Sequence, residues 1–216
     1  MKEYVLEVKE VTKRFKEGIA LDKITFSAKS GNIVGFVGHN GSGKTVLFKC
    51  ICGFYGVSEG EIKINNTLVG IGEEMPGNIA FTIEEPAFLA DYSGKKNLEF
   101  LYELRHKKDS AYIADIMEKV GLEYKNKKKV GKYSLGMRQR LALAQVLMEE
   151  QPIIILDEPM NGLDRQGISD IRQLILEEKK KGKIILLASH NSGDIDYLCD
   201  YVYELENGKV IKKTNV

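Results

Sequence analysis

The sequence predicts an α/β fold: a core sheet with parallel strands, an antiparallel β region beside it, and a helical subdomain inserted at about 87–150. Three observations carry the prediction. Short apolar runs, residues 153–156 and Ile184–Ala188 among them, alternate with segments of helical periodicity, the pattern of a parallel sheet buried on both faces. A glycine-rich loop, residues 38–45, stands between one such strand and a helix. The first third of the chain is strand-rich, whereas the middle third is helical.

In chain order, residues 4–9 and 24–28 alternate apolar and polar with period two and are predicted strands. Ile33–Val37 is an apolar run between Gly31 and Gly38, which suits a buried strand. A helix follows over 45–51 and closes near Gly53. Residues 61–65 and Ile79–Thr82 are further short strands. The pattern then turns helical over 97–106 (Leu98, Leu101, Tyr102) and 110–120 (Ile113, Ile116, Met117, Val120), where Gly121 supplies a stop. Residues 134–150 form a third helix, apolar nearly all round from Leu141 to Met148 and therefore buried. After strand 153–156, Ile168, Ile171, Leu174 and Ile175 mark a helix that ends in a Lys run and Gly182. Residues 201–205 and 210–211 flank Asn207-Gly208, a strong hairpin signal.

Composition narrows the function. The length, 216 residues, suits one domain with an insert. Hydrophobic residues at 43% and charged residues at 29% exclude a disordered chain. Lys plus Arg is 32 against 31 for Asp plus Glu, so a net charge of +1 gives no global field to hold nucleic acid. Cys50, Cys52 and Cys199 make no disulfide framework, and Cys50 and Cys52, two apart on a helix, do not share a face for a metal. No run approaches the ~18 apolar residues of a membrane span. Met1-Lys2-Glu3-Tyr4 lacks the apolar core of a signal peptide. The expected location is the cytosol, or a membrane face reached through another chain. The Lys runs at 125–129 and 179–183 read as solvated faces.

The glycine-rich loop carries the strongest chemistry. Gly38-His39-Asn40-Gly41-Ser42-Gly43-Lys44-Thr45 fits G-x-x-x-x-G-K-[ST] in its required strand-to-helix context. Its glycines let backbone N–H groups turn onto phosphate oxygens, and the helix that begins there, with Val46 in its first turn, presents its positive end. Lys44 would reach the β- and γ-phosphates of a bound nucleotide, and the Thr45 hydroxyl would ligate Mg²⁺. The competing reading is a glycine-rich turn with a stray Lys.

The strand 153–156 ends in Asp157 and Glu158. Strand ends in open α/β sheets are where ligands bind. Asp157 would hold Mg²⁺, and Glu158 would polarise the attacking water. Alone, this pattern also describes an apolar strand ending in solvated acids. Paired with the glycine-rich loop, it points to nucleotide hydrolysis.

The pattern resembles the nucleotide-binding subunit of ATP-binding cassette (ABC) transporters over nearly the full chain, which implies a P-loop NTPase core. Tyr133-Ser134-Leu135-Gly136-Met137 is similar to the family signature L-S-G-G-Q, with Leu135 and Met137 in place of a Gly and the Gln. Ser134 can also cap the helix that follows. The resemblance implies that Ser134 and Gly136 face the γ-phosphate held by a partner chain. It implies that Asn161-Gly162-Leu163-Asp164 is the loop that crosses the dimer interface, and that Asp164 lies at the nucleotide. It also makes His190 the switch histidine near the γ-phosphate, and Phe15 the ring that stacks on adenine.

Glu84 stands where the family usually has a Gln that reaches Mg²⁺ and the water. This Glu, with Tyr-Ser-Leu-Gly-Met, resembles the bacitracin-resistance and lantibiotic-immunity branch of bacterial exporters. The resemblance implies a head-to-tail dimer of identical or different cassettes sandwiching two ATP molecules. It also implies a separate transmembrane permease that holds the chain at the inner face of the cell membrane. The stretch 84–92, with Pro86, Phe88, Leu89 and Tyr92, is a candidate permease-docking surface if those residues are exposed. The alternative is a soluble ABC-type ATPase that assembles or remodels proteins. A non-hydrolysing binding module is disfavoured because Lys44, Asp157, Glu158 and His190 are all present.

Overall fold

The computed structural model describes residues 3–70, 76–84 and 87–216. Its elements run β1 (Val5–Phe15), β2 (Gly18–Lys29), β3 (Ile33–Val37), α1 (Lys44–Ile51), β4 (Glu59–Ile64), β5 (Thr67–Val69) and β6 (Ile79–Thr82). Then follow α2 (Gly94–Glu103), α3 (Ser110–Lys119), α4 (Leu135–Met148), β7 (Ile153–Asp157), α5 (Arg165–Lys180), β8 (Ile184–Ala188), α6 (Ser192–Leu198), β9 (Tyr201–Glu206) and β10 (Lys209–Asn215). They form two compact units: one of residues 1–83, 151–158 and 176–216, the other of 84–150 and 159–175.

The first unit holds two sheets. One is antiparallel, in the order β2-β1-β4-β5. The other has the order β10-β9-β3-β8-β7-β6, in which β9, β3, β8, β7 and β6 run parallel and β10 returns antiparallel to β9. Strands β3, β7 and β8 are apolar and buried almost throughout, as a sheet covered on both faces requires. Register then aligns their ends: Phe36 and Asp157 both lie opposite Ala188. Gly38, Glu158 and His190 therefore follow the strands at the same, C-terminal end of the sheet, where parallel sheets bind ligands. Behind them, Phe26, Phe36, Phe48 and Tyr203 form an aromatic cluster with ring centroids 5.0–5.8 Å apart. Each such ring contributes about 1.5–3 kcal/mol by leaving water.

The second unit is helical. Each of its first three helices begins on a side-chain cap: Ser93 accepts from Lys96 N–H, Asp109 from Tyr112 N–H and Ser134 from Met137 N–H. The packed faces of α2, α3 and α4 bury Leu98, Ile113, Met117 and Leu141. The buried Tyr133 hydroxyl accepts from Gly94 N–H at the start of α2, 3.2 Å away.

The expected helical insert ran from 87 to 150; the second unit starts at 84 and also takes in 159–175. Strands β1 and β2 extend beyond 4–9 and 24–28. Glu10 and Lys23 have φ of +48° and +53°, and the register shifts beside them break the alternation that periodicity detects. Helix α2 starts at Gly94 rather than 97 because Ser93 caps it. Strand β5 and the seven-residue α6 were not expected.

Candidate functional site

Between β3 and α1 the chain turns through Gly38, Gly41 and Gly43 at φ of +150°, +83° and +110°. Side chains would not fit at two of them. A Cβ on Gly38 would lie 2.3 Å from Leu205 O, and one on Gly43 would lie 2.9 Å from Ala20 O. Gly41 faces open space, and His39, Asn40 and Gly41 are exposed. Ser42 is fully buried; Thr45 and Val46 are half-buried in the first turn of α1. Lys44, 7% exposed, folds back so that Nζ donates to Gly38 O (2.7 Å) and His39 O (3.1 Å). The result is an open loop at a helix N-terminus with an ammonium group beside it, an arrangement that attracts phosphate.

A residue outside the motif supports this loop. The Asn207-Gly208 turn has φ of +48° and +76°, a type I′ hairpin. Gly208 N–H donates to Ser42 O at 3.0 Å, and Gly208 O accepts from Asp22 N–H at 2.8 Å. The hairpin signal was legible in the sequence; its contact with a loop so distant in the chain was not.

The two strand-end carboxylates diverge. Asp157 Oδ2 accepts from the Thr45 hydroxyl at 2.9 Å. Glu158, at φ of +51°, turns the other way, and its Oε2 lies 2.8 Å from His190 Nδ1. Its backbone N–H donates to Ala188 O at 2.9 Å, which holds the turn against β8. A left-handed Glu costs about 1–3 kcal/mol, a strain characteristic of functional positions. Phe15, 38% exposed, ends β1 with its ring edge-on to Tyr55 at 5.4 Å; Lys13 Nζ lies 5.0 Å from the Phe15 centroid.

Phe15, residues 38–46, Asp157, Glu158 and His190 thus belong to the first unit, whereas Glu84, Ser134, Gly136 and Asp164 belong to the second. Glu84 is exposed at φ of +61°. Ser134 is the N-cap of α4, and a Cβ on Gly136 would lie 2.8 Å from Gly162 O. Asp164 Oδ1 accepts from Gly167 N–H at 2.8 Å, capping α5. In the 84–92 stretch Leu89 and Tyr92 are about half exposed and Phe88 is half-buried; Pro86 lies outside the described residues. The three cysteines are buried, and burial pushes Cys50 up to about 11 and Cys52 and Cys199 up to about 12.

The ABC transporter family model matches residues 21–161. The chain belongs to that family. It is 36% identical to the ABC transporter ATP-binding protein YybJ of Bacillus subtilis, over 95% of this chain and 94% of that protein. It is 34% identical to the bacitracin transport ATP-binding protein BcrA of Bacillus licheniformis, over 97% of this chain and 69% of that protein. A solved ATP-binding subunit of an ABC transporter superposes with a TM-score of 0.88 at 27% identity, covering 98% of this chain and 90% of that one. The expected P-loop α/β cassette is therefore what the chain forms, and it is the ATP-binding, ATP-hydrolysing subunit of an ABC transporter. The reading as a soluble assembly ATPase is not favoured by transport relatives. Among the described residues, no helix is long and apolar enough to cross a membrane.

Proposed function

We propose that this cassette powers a bacterial-type exporter of antimicrobial peptides or other drugs. The exporter-branch motifs and the likeness to a bacitracin transport protein support that substrate class. The observation that carries the hydrolytic part is the divergence of Asp157 onto Thr45 and Glu158 onto His190 at the C-terminal end of the parallel strands.

ATP would lie with its phosphates on the loop 38–45 and its base on Phe15. The Lys44 ammonium would exchange its two loop carbonyls for phosphate oxygens. Thr45 and Asp157 present hard oxygen donors 2.9 Å apart, which suit Mg²⁺. Thr45 and Asp157 would hold Mg²⁺ there, and its charge would offset that of the phosphate oxygens. Glu158 would accept a hydrogen bond from the attacking water and polarise it. His190, already 2.8 Å from that carboxylate, would orient it and report the γ-phosphate. Most of the catalysis is positioning and charge neutralisation, as phosphoryl transfer requires.

Two cassettes, identical or different, would pair head to tail. Gly41, Gly43, Lys44 and Thr45 of one would face Ser134 and Gly136 of the other across ATP, with Asp164 alongside. Hydrolysis removes the bridging phosphate and opens the pair. A separate permease would hold the cassettes at the inner face of the cell membrane. Leu89 and Tyr92, with Tyr92 edge-on to Phe100 at 5.2 Å, offer it an exposed apolar contact.

Affinity purification of the tagged chain from detergent-solubilised native membranes tests this reading. A multi-span protein should co-purify in stoichiometric amount. A chain found only in the soluble fraction, with soluble partners, would overturn the transport reading and leave the ATPase intact.

A further inference from the structure

Leu135 stands at the signature position where the family pattern has a Gly, and its side chain is 52% exposed. An exposed leucine at the first position of a helix calls for an explanation. The structure supplies one in the turn Met160-Asn161-Gly162-Leu163, closed by Leu163 N–H donating to Met160 O at 3.2 Å. Gly162 sits in that turn at φ of +75°. A Cβ there would begin 2.5 Å from Leu135 Cγ and Cδ2 and 3.0 Å from Leu135 Cβ. The leucine therefore lies directly over the bare α-carbon of Gly162. From below, Gly136 approaches so closely that its own Cβ would meet Gly162 O at 2.8 Å.

The same helix grips the segment after the turn at a second point. Arg140, one helical turn on from Gly136, donates to Val120 O at 2.6 Å and pairs with Asp170 of α5 at 3.4 Å. Gly167 leaves it room: a Cβ there would lie 2.8 Å from Arg140 Nη2 and 2.9 Å from Asp164 Oδ1. Contacts at both ends hold the 160–167 segment in one position on α4.

We propose that Leu135 is a positioning residue that clasps the Gly162 turn to the start of α4, so that Ser134, Gly136 and Asp164 are presented as one rigid surface to a partner cassette. The clasp itself is a property of the single chain. Its consequence for ATP-driven pairing rests on the head-to-tail reading above. Leu135 touches neither nucleotide nor water in this account; it acts through the turn. The contact is reciprocal, since a side chain at 162 and a leucine at 135 claim the same space.

The test combines Leu135→Gly, Gly162→Ala and the double variant in the full chain. Amide hydrogen exchange is read first, at Leu163 and Gly167 of the unpaired chain. Leu135→Gly should speed exchange there about fivefold to tenfold while other helices keep their protection. ATP-driven dimerisation is read second, by sedimentation in a Glu158→Gln background that retains ATP. Gly162→Ala should weaken pairing about tenfold beside Leu135 and by less than about threefold beside Gly at 135, because the overlap has been removed. Unchanged exchange in Leu135→Gly overturns the clasp. An equal penalty for Gly162→Ala in both backgrounds also overturns it, because the leucine would then not be what excludes the methyl. If the Glu158→Gln parent binds ATP without pairing, the head-to-tail reading fails before position 135 is altered, and the exchange result still decides the clasp.

Discussion

Replacing Gly208 by Ala tests whether the C-terminal hairpin braces the phosphate loop. The methyl meets two obstacles. At φ of +76° an L-residue costs about 1–2 kcal/mol. Its Cβ would also lie 2.5 Å from Ala20 O and 2.9 Å from Ala20 C, both backbone atoms that no rotamer change can move. Relieving that overlap costs about 1–3 kcal/mol more. The sum, about 2–5 kcal/mol, should lower Tm by about 4–20 °C for a chain of this size. The hairpin must also move away from Ala20, which lengthens the 3.0 Å bond from Gly208 N–H to Ser42 O. Loss of one such bond is worth about 1 kcal/mol, so ATP and ADP should each bind about fivefold more weakly. Titration with a fluorescent nucleotide analogue, beside a thermal melt, measures both effects. Asn207→Gly is the control: its φ of +48° suits Gly, so affinity and Tm should hold. A folded Gly208→Ala chain with a lowered Tm and unchanged nucleotide affinity would refute the brace.

Glu158→Gln should slow hydrolysis by at least about 100-fold while ATP binding stays within about twofold; near-normal turnover would remove Glu158 from the reaction. Thr45→Ala should raise the Mg²⁺ concentration needed for half-maximal ATPase by about tenfold, because one of two converging oxygen donors is lost; an unshifted titration counts against the site. Glu84→Gln should preserve ATP binding and change the Mg²⁺ dependence of hydrolysis, and identical Mg²⁺ titrations would contradict that role. The native fold should resist thiol alkylation, because burial pushes the cysteines up to about 11–12 from 9.0. A raised folded value means the native state holds the proton longer. Their contribution to stability is therefore full below about pH 9 and is lost as pH rises through 11–12, which alkaline melts would register.

The parts of the fold legible in the sequence were those with a strong local signature. The runs Ile33–Val37 and Ile184–Ala188 were bounded correctly because continuous apolar residues can only be buried. Ser134 was read as a helix cap and is one. Periodicity failed where backbone irregularity interrupts it. Glu10 and Lys23, both left-handed, stopped the predicted strands short, and no residue type announces such a bulge. The seven-residue α6 was missed because its apolar face is only Ile195 and Leu198, too few to establish a helical period. At the site, the loop, both carboxylates and His190 were nameable from motif and place. What could not be read was pairing between distant segments: Glu158 with His190, Gly208 with Ser42, and Leu135 over Gly162. Those contacts arise from strand order and turn geometry, which single-sequence patterns do not encode.

If the cassette powers export of antimicrobial peptides, it should protect its cell from them. The direct measurement is the growth-inhibitory concentration of bacitracin-type and lantibiotic-type peptides for cells that lack the chain. Sensitivity to at least one class should rise several-fold, an effect reversed by the intact chain and not by Lys44→Ala or Glu158→Gln. Unchanged sensitivity to both, or equal rescue by the hydrolysis-deficient variants, would contradict it.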